Sequence, residues 1–389
     1  MRILLALLLL LPGLTLRAQM HRYSTNFTLS EKNFCDTVSI EFERNQVYVP
    51  VEMNGHTYRF LLDTGSSQGV VYADSPIAGC RQLGHIVSHD AVGRQDTVQV
   101  VGLPPFRLGQ LGINGYVATV HRRQVSRRQV DGILGFDLFN KGIIGKIDVQ
   151  NRRLILTDRR HGDVARETGY ALKYKLRWFV PHVWVGPFLR HQDQALFDTG
   201  SRQLYAMNKQ SFDRHQYMSR QVQQQVEGRS VGQLAIGNFG VEQQDSVVFL
   251  ALDRLKWGDF WLYDVHCITT RGGSHVGAPL LNYGTLTINP FKRQLVLQSY
   301  DHANSVTVGN EQFQIAFVPR DGRAAVGLIW EQSEAYKNGF RQGDVVLRID
   351  DRDVPDFQSF VDYPFILGQE HRFTLRDRQG NLKEVHSKR

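Results

Sequence analysis

One tetrapeptide occurs twice in this chain of 389 residues, as Asp63-Thr64-Gly65-Ser66 and as Asp198-Thr199-Gly200-Ser201. A given tetrapeptide arises by chance on the order of once in 10⁵ positions, so two copies signal a repeat. The first copy ends the run Tyr58-Arg59-Phe60-Leu61-Leu62, and the second ends Gln194-Ala195-Leu196-Phe197. Both are short apolar runs and read as buried strands. Val47 to Met53 precedes the first, followed by Asn54-Gly55, a strong two-residue hairpin signal. Strand, tight turn and strand thus deliver Asp63 at a strand end. Apolar runs follow each copy, Gly69-Val70-Val71-Tyr72 and Leu204-Tyr205-Ala206-Met207.

The similarity continues downstream. Leu108-Gly109-Gln110-Leu111-Gly112-Ile113 leads to Val117, and Trp257-Gly258-Asp259-Phe260-Trp261-Leu262 leads to Val265. Both alternate after a glycine turn, as strands with one buried face do. Then Asp131-Gly132-Ile133-Leu134-Gly135 matches Gly277-Ala278-Pro279-Leu280-Leu281, and a β-hairpin follows each. The second unit is longer between its first two landmarks. Asp213 to Gln225, rich in Gln and Arg, reads as an inserted short helix.

This pattern resembles the aspartic proteases, retropepsin-like and pepsin-like. The Gly132-Ile133-Leu134-Gly135 element and the short lobes resemble the retropepsin-like group, while two lobes in one chain are similar to the pepsins. The resemblance covers roughly residues 40 to 300. It implies a mainly β, bilobal fold made of a pair of acid-protease-like β-barrels, with lobe 1 over 20–158 and lobe 2 over 159–300. It also implies that Thr64 and Thr199 form a buried hydroxyl network locking the two loops. Ser66 and Ser201 are expected to orient the outer carboxylate oxygens.

The chemistry has its own reason. Hydrolysis of a peptide by water needs a base for the water and an acid for the carbonyl oxygen. Two carboxylates about 3 Å apart cannot both ionise, so they share a proton and supply both roles. The titration belongs to the pair Asp63 and Asp198 and to neither alone. Gly65 and Gly200 let the backbone turn tightly beside the acids. Neither metal nor cofactor is needed. Such enzymes close flaps over the cleft to exclude water. The candidates are Val87 to Arg94, with Gly93 near its tip, and Val226 to Ser230, with Gly228.

After Tyr300 the repeat stops. Residues 301–310 read as a polar linker. Over 311–389, Ser333-Glu334-Ala335-Tyr336-Lys337-Asn338-Gly339-Phe340 and Gln342-Gly343-Asp344-Val345-Val346 resemble a PDZ domain of the kind attached to bacterial exported proteases, a small α+β sandwich. A PDZ groove takes a C-terminal peptide by strand addition. The candidate peptide-binding residues are Gln312, Phe313 and Ile315, although the Gly-Leu-Gly-Phe form is missing.

Residues 1–19 read as a signal peptide: Arg2, a leucine-rich stretch to Leu16, and Ala18 before the cut. The stretch is short for a span of about 20 residues. An exported, periplasmic or secreted protein without stable membrane insertion is expected. Without Arg2 and Arg17, 44 basic residues face 38 acidic ones and the net charge falls from +8 to +6. The basic residues are dispersed and match no nucleic-acid motif, so no nucleic acid is expected as partner. Cys35, Cys80 and Cys267 lack metal-ligand spacing, and an odd count leaves at least one thiol free. The partner expected is a polypeptide substrate. The alternative is a catalytically inactive protease-fold and PDZ protein that binds extended peptides.

Overall fold

The computed structural model describes residues 25–90, 92–123, 130–237, 239–366 and 368–388. The expected signal peptide lies outside them. The chain is mainly β, as its alternating and apolar runs predict. An 11-stranded sheet holds the first half of the repeat and a 9-stranded sheet the second.

The two sheets share one topology. In the first, Gln46–Met53 pairs with His56–Leu62, which runs parallel to Gly132–Leu134. Gly132–Leu134 pairs in turn with Gly69–Tyr72, and that strand runs parallel to Val117–His121. In the second, the same places fall to Val180–Phe188, His191–Asp198, His275–Gly277, Tyr205–Asn208 and Phe260–Thr270. Each short glycine-bearing strand therefore wedges between the strand that ends in Asp-Thr-Gly-Ser and the strand that follows it. Their registers match too: Leu61 faces Ile133 as Leu196 faces His275.

The hairpins that close the units meet in a shared six-stranded sheet. Ile144–Asp148 pairs with Arg153–Thr157 on one side and with Gly284–Asn289 on the other. One apolar core runs through both lobes and this sheet, including Phe60, Leu134, Phe139, Phe197, Leu280 and Leu286, all with 2% exposure or less. The two Asp-Thr-Gly-Ser loops are thus set on a common foundation rather than on two bodies joined by a tether. The expected insertion is two helices, Lys209–Met218 and Arg220–Gln224. The first is capped by Asn208, whose side chain accepts from the Ser211 amide.

Residues 301–310 are not a free linker. Ser305–Thr307 adds a parallel strand to Phe260–Thr270, and Asn310 exchanges two hydrogen bonds with the backbone of His266. The polar composition hid these bonds, because they satisfy backbone groups rather than burying apolar ones. Beyond it lies a six-stranded sheet with two short helices, Glu334–Lys337 and Phe357–Val361. It has a core of its own, with Phe340, Val346, Phe360, Phe373 and Leu375 among its members. The thiols of Cys35, Cys80 and Cys267 are unpaired.

Candidate active site

Each Asp-Thr-Gly-Ser sits where a buried strand ends, and the two loops face each other. The Thr64 hydroxyl donates to Phe197 O at 2.7 Å and accepts from the Thr199 amide at 3.0 Å. Reciprocally, the Thr199 hydroxyl donates to Leu62 O at 2.6 Å and accepts from the Thr64 amide at 3.0 Å. Both threonines are fully buried. Four bonds therefore tie each loop to the strand of the other lobe, as the resemblance implied.

The aspartates are oriented by backbone amides. Asp63 Oδ1 accepts from Gly65 N at 2.9 Å and Ser66 N at 3.2 Å, and Asp198 Oδ1 accepts from Gly200 N at 2.9 Å. Each carboxylate also abuts the opposite glycine. A Cβ on Gly65 would stand 2.6 Å from Asp198 Cγ, and one on Gly200 would stand 2.6 Å from Asp63 Cγ. Glycine is required here for close approach. Asp63 is buried, whereas Asp198 is partly exposed.

The serine hydroxyls differ from expectation. Ser66 Oγ donates to Gln68 O at 2.8 Å, and Ser201 Oγ accepts from Gln203 N at 3.3 Å. Backbone amides bond the Oδ1 atoms of both aspartates, and the serine hydroxyls bond within their own loops. Behind the first loop, Phe136 N donates to Ser66 O at 2.8 Å, and behind the second, Ala278 N donates to Ser201 O at 3.1 Å. Pro279, which breaks the Gly-Ile-Leu-Gly form, opens a short 3₁₀ turn without disturbing that bond.

Several supporting residues carry no motif. Gln46 Nε2 donates to Gly200 O at 2.8 Å, while its Oε1 accepts from Arg202 and from the Tyr48 hydroxyl. It thereby joins the lobes beside the second loop. Arg202 directly follows the second tetrapeptide, the one signal that could have flagged it. Asp137 is buried under the first loop and accepts from the Tyr116 hydroxyl at 2.8 Å. Burial pushes its carboxyl up to about 8, against the opposing pull of that hydrogen bond.

Above the first lobe, Arg81–His89 and Gln95–Gly102 form the expected hairpin, with Gly93 at φ +78° in its turn. Its tip touches the second lobe: Asp90 Oδ2 accepts from Phe239 N at 2.9 Å, and Phe239 stacks on His121 with ring centroids 5.4 Å apart. The second-lobe tip is therefore the small hairpin of Ile236–Gly237 and Gly240–Val241. Gly228 is not at a tip. It lies in the strand Val226–Gly232 beneath Trp330, where a Cβ would stand 2.1 Å from Nε1.

That strand is bonded to the C-terminal domain. Ser230 Oγ donates to Ile329 O at 2.8 Å, Gln233 N to Gly327 O at 3.0 Å, and Gln342 Nε2 to Val231 O at 2.8 Å. Of the candidate peptide-binding residues, Phe313 faces the second lobe, stacked on Phe249 at 6.2 Å. It joins the apolar cluster of Phe249, Leu328 and Trp330 that seals this junction, which removes it from a peptide groove. Ile315 opens the edge strand Ile315–Arg320 and Gln312 precedes it, both partly buried.

No curated protein sequence matches the chain. Among solved structures, it is similar to the aspartic proteinase from Irpex lacteus at 14% identity and a TM-score of 0.46, covering 69% of this chain and 99% of that one. It is also similar to basic 7S globulin from soybean at 9% identity and a TM-score of 0.40, covering 68% and 94%. Residues 49–138 match the family model described as aspartyl protease, a stretch that holds Asp63-Thr64-Gly65-Ser66 and Gly132-Ile133-Leu134-Gly135 and ends before the second tetrapeptide.

Proposed function

We propose that this protein is an exported aspartic endopeptidase that hydrolyses peptide bonds with Asp63 and Asp198 acting together. The observation that carries the reading is the mutual packing of Gly65 on the Asp198 carboxylate and Gly200 on the Asp63 carboxylate. It brings two acids from different lobes into one site. A water held between them loses a proton to the ionised carboxylate as its oxygen attacks the scissile carbonyl. The protonated partner gives its proton to the carbonyl oxygen, producing a neutral gem-diol. Collapse of that diol breaks the C–N bond, with a proton passed to the leaving amine. No covalent enzyme intermediate forms. The touching hairpin tips cover the cleft and exclude competing water.

The C-terminal domain acts in this reading as a PDZ module for peptide or protein recognition. Ile315–Arg320 lies at the edge of its sheet, and Phe317 meets Phe360 of the helix Phe357–Val361 with centroids 4.5 Å apart. An extended chain end adds to that edge by backbone pairing.

Cleavage of unfolded casein from acid to neutral pH, with and without a statine-containing inhibitor, tests the function. Turnover blocked by the inhibitor is expected. Peptide binding without turnover at any pH overturns it in favour of a non-catalytic peptide binder.

A further inference from the structure

The row of side chains beside Asp198 differs in kind from the row beside Asp63. Residues two apart on a strand share a face, and so do residues paired across strands. Leu61 and Leu196 therefore stand on the faces of their aspartates, about 7 Å along the strand. In lobe 1 the row runs Tyr48, Leu61, Ile133, Val70. These close on one another in a buried cluster with Tyr72 and Val130. In lobe 2 the same register positions hold His182, Leu196, His275 and Ala206. Here His182, Leu196 and His275 are each partly exposed. Lys175 extends the row by pairing with His182, and Arg177 stands exposed two residues on, bonded to Gln194 at 2.7 Å. Where lobe 1 packs apolar groups into a buried cluster, lobe 2 presents a partly exposed row in which two imidazoles flank Leu196, with two exposed cations beyond His182.

Both rings are held the same way. His182 Nδ1 lies 3.2 Å from Val180 O, and His275 Nδ1 lies 3.3 Å from Gly273 O. A carbonyl only accepts, so Nδ1 carries the proton and Nε2 is left for a ligand. Burial holds both imidazoles below the usual histidine range, and Arg177 adds to this at His182. A carboxyl group fits such a nitrogen in either protonation state. As an acid it donates to neutral Nε2, and as a carboxylate it accepts from the imidazolium. Lys175 and Arg177 favour the negative charge, and Leu196 packs against the methylenes of the incoming side chain.

We infer that His182, Leu196 and His275 form a subsite for an acidic substrate side chain, so that cleavage occurs beside glutamate or aspartate residues. The inference rests on the proposed peptidase function. It is tested with matched peptides carrying Glu, Gln or Leu at each position flanking the scissile bond. The parent is compared with His275→Ile, which installs the lobe 1 residue, and with His182→Gln, which keeps a polar side chain. Circular dichroism checks that each variant folds, and His182→Gln serves if His275→Ile does not. At one flanking position the parent is expected to prefer Glu over Leu by about tenfold in kcat/KM, and Glu over Gln by a smaller factor. In either variant the Glu-to-Leu ratio is expected to fall to about one. Cleavage by the parent without acidic preference, or an unchanged preference in the folded variants, overturns the subsite and leaves the peptidase reading standing. A parent that cleaves no peptide overturns both.

Discussion

Gly65 lies against the Asp198 carboxylate so closely that a Cβ would stand 2.6 Å from both Cγ and Oδ1. Gly200 stands in the same relation to Asp63. The glycines of the repeated tetrapeptide thus do more than turn the chain. Each makes room for the acid of the other lobe, and the backbone amide of each also holds its own aspartate at 2.9 Å. Position and orientation of the pair come from the same two residues.

Alanine at either glycine should therefore separate the carboxylates without unfolding the lobes. A displacement near 1 Å costs about 10²-fold in rate when positioned groups must act together. Gly65→Ala and Gly200→Ala are each expected to lose at least about that factor in kcat/KM for casein-derived peptides while keeping the parent far-UV spectrum.

The threonine network predicts a stability effect. Thr64→Val leaves Phe197 O and the Thr199 amide without their buried partner, and Thr199→Val does the same to Leu62 O and the Thr64 amide. Each unsatisfied buried group costs about 1–3 kcal/mol. Denaturant unfolding should show a loss of at least that size for each valine variant, and a much smaller one for Thr64→Ser, which retains the hydroxyl.

Asp137 predicts a pH effect. Its carboxyl is held at about 8 by burial, well above an unfolded aspartate near 3.8. The folded state therefore binds the proton more tightly. This site favours folding fully below the unfolded value, and that contribution is lost progressively as pH rises toward 8. Asp137→Asn removes the titration and keeps a similar shape. Stability measured from pH 4 to 8 should fall less steeply in the variant than in the parent.

The junction with the C-terminal domain predicts a third kind of failure. Trp330 is nearly buried, covers Gly228 and meets Phe249 at 5.6 Å. Trp330→Ala should cost about 3–5 kcal/mol of the energy holding the strand Val226–Gly232 in place. Limited proteolysis should then cut first near that strand, at rates well above the parent.

Much of this arrangement was legible from local signals. The paired tetrapeptides, the apolar runs before them and the Asn54-Gly55 turn located both aspartates and their strands, because these signals lie within a few residues of one another. What escaped depends on pairing between distant segments. Gly228 resembled a flap glycine, yet it is a contact with Trp330, about a hundred residues away. Phe313 resembled a groove residue, yet its ring goes to Phe249. Ser305–Thr307 had no apolar pattern to betray its pairing with Phe260–Thr270. The resemblance directs the serine hydroxyls to the carboxylates, whereas their bonds stay within their own loops. His182 and His275 come to flank Leu196 only through the register of three strands.

The central claim is that Asp63 and Asp198 act as one catalytic pair. The most direct test is single-turnover cleavage of one peptide by Asp63→Asn and Asp198→Asn variants, each confirmed to be folded. The account predicts that both lose turnover by several orders of magnitude, because neither half of a shared-proton pair works alone. If both variants cleaved the peptide as fast as the parent, the account would be contradicted.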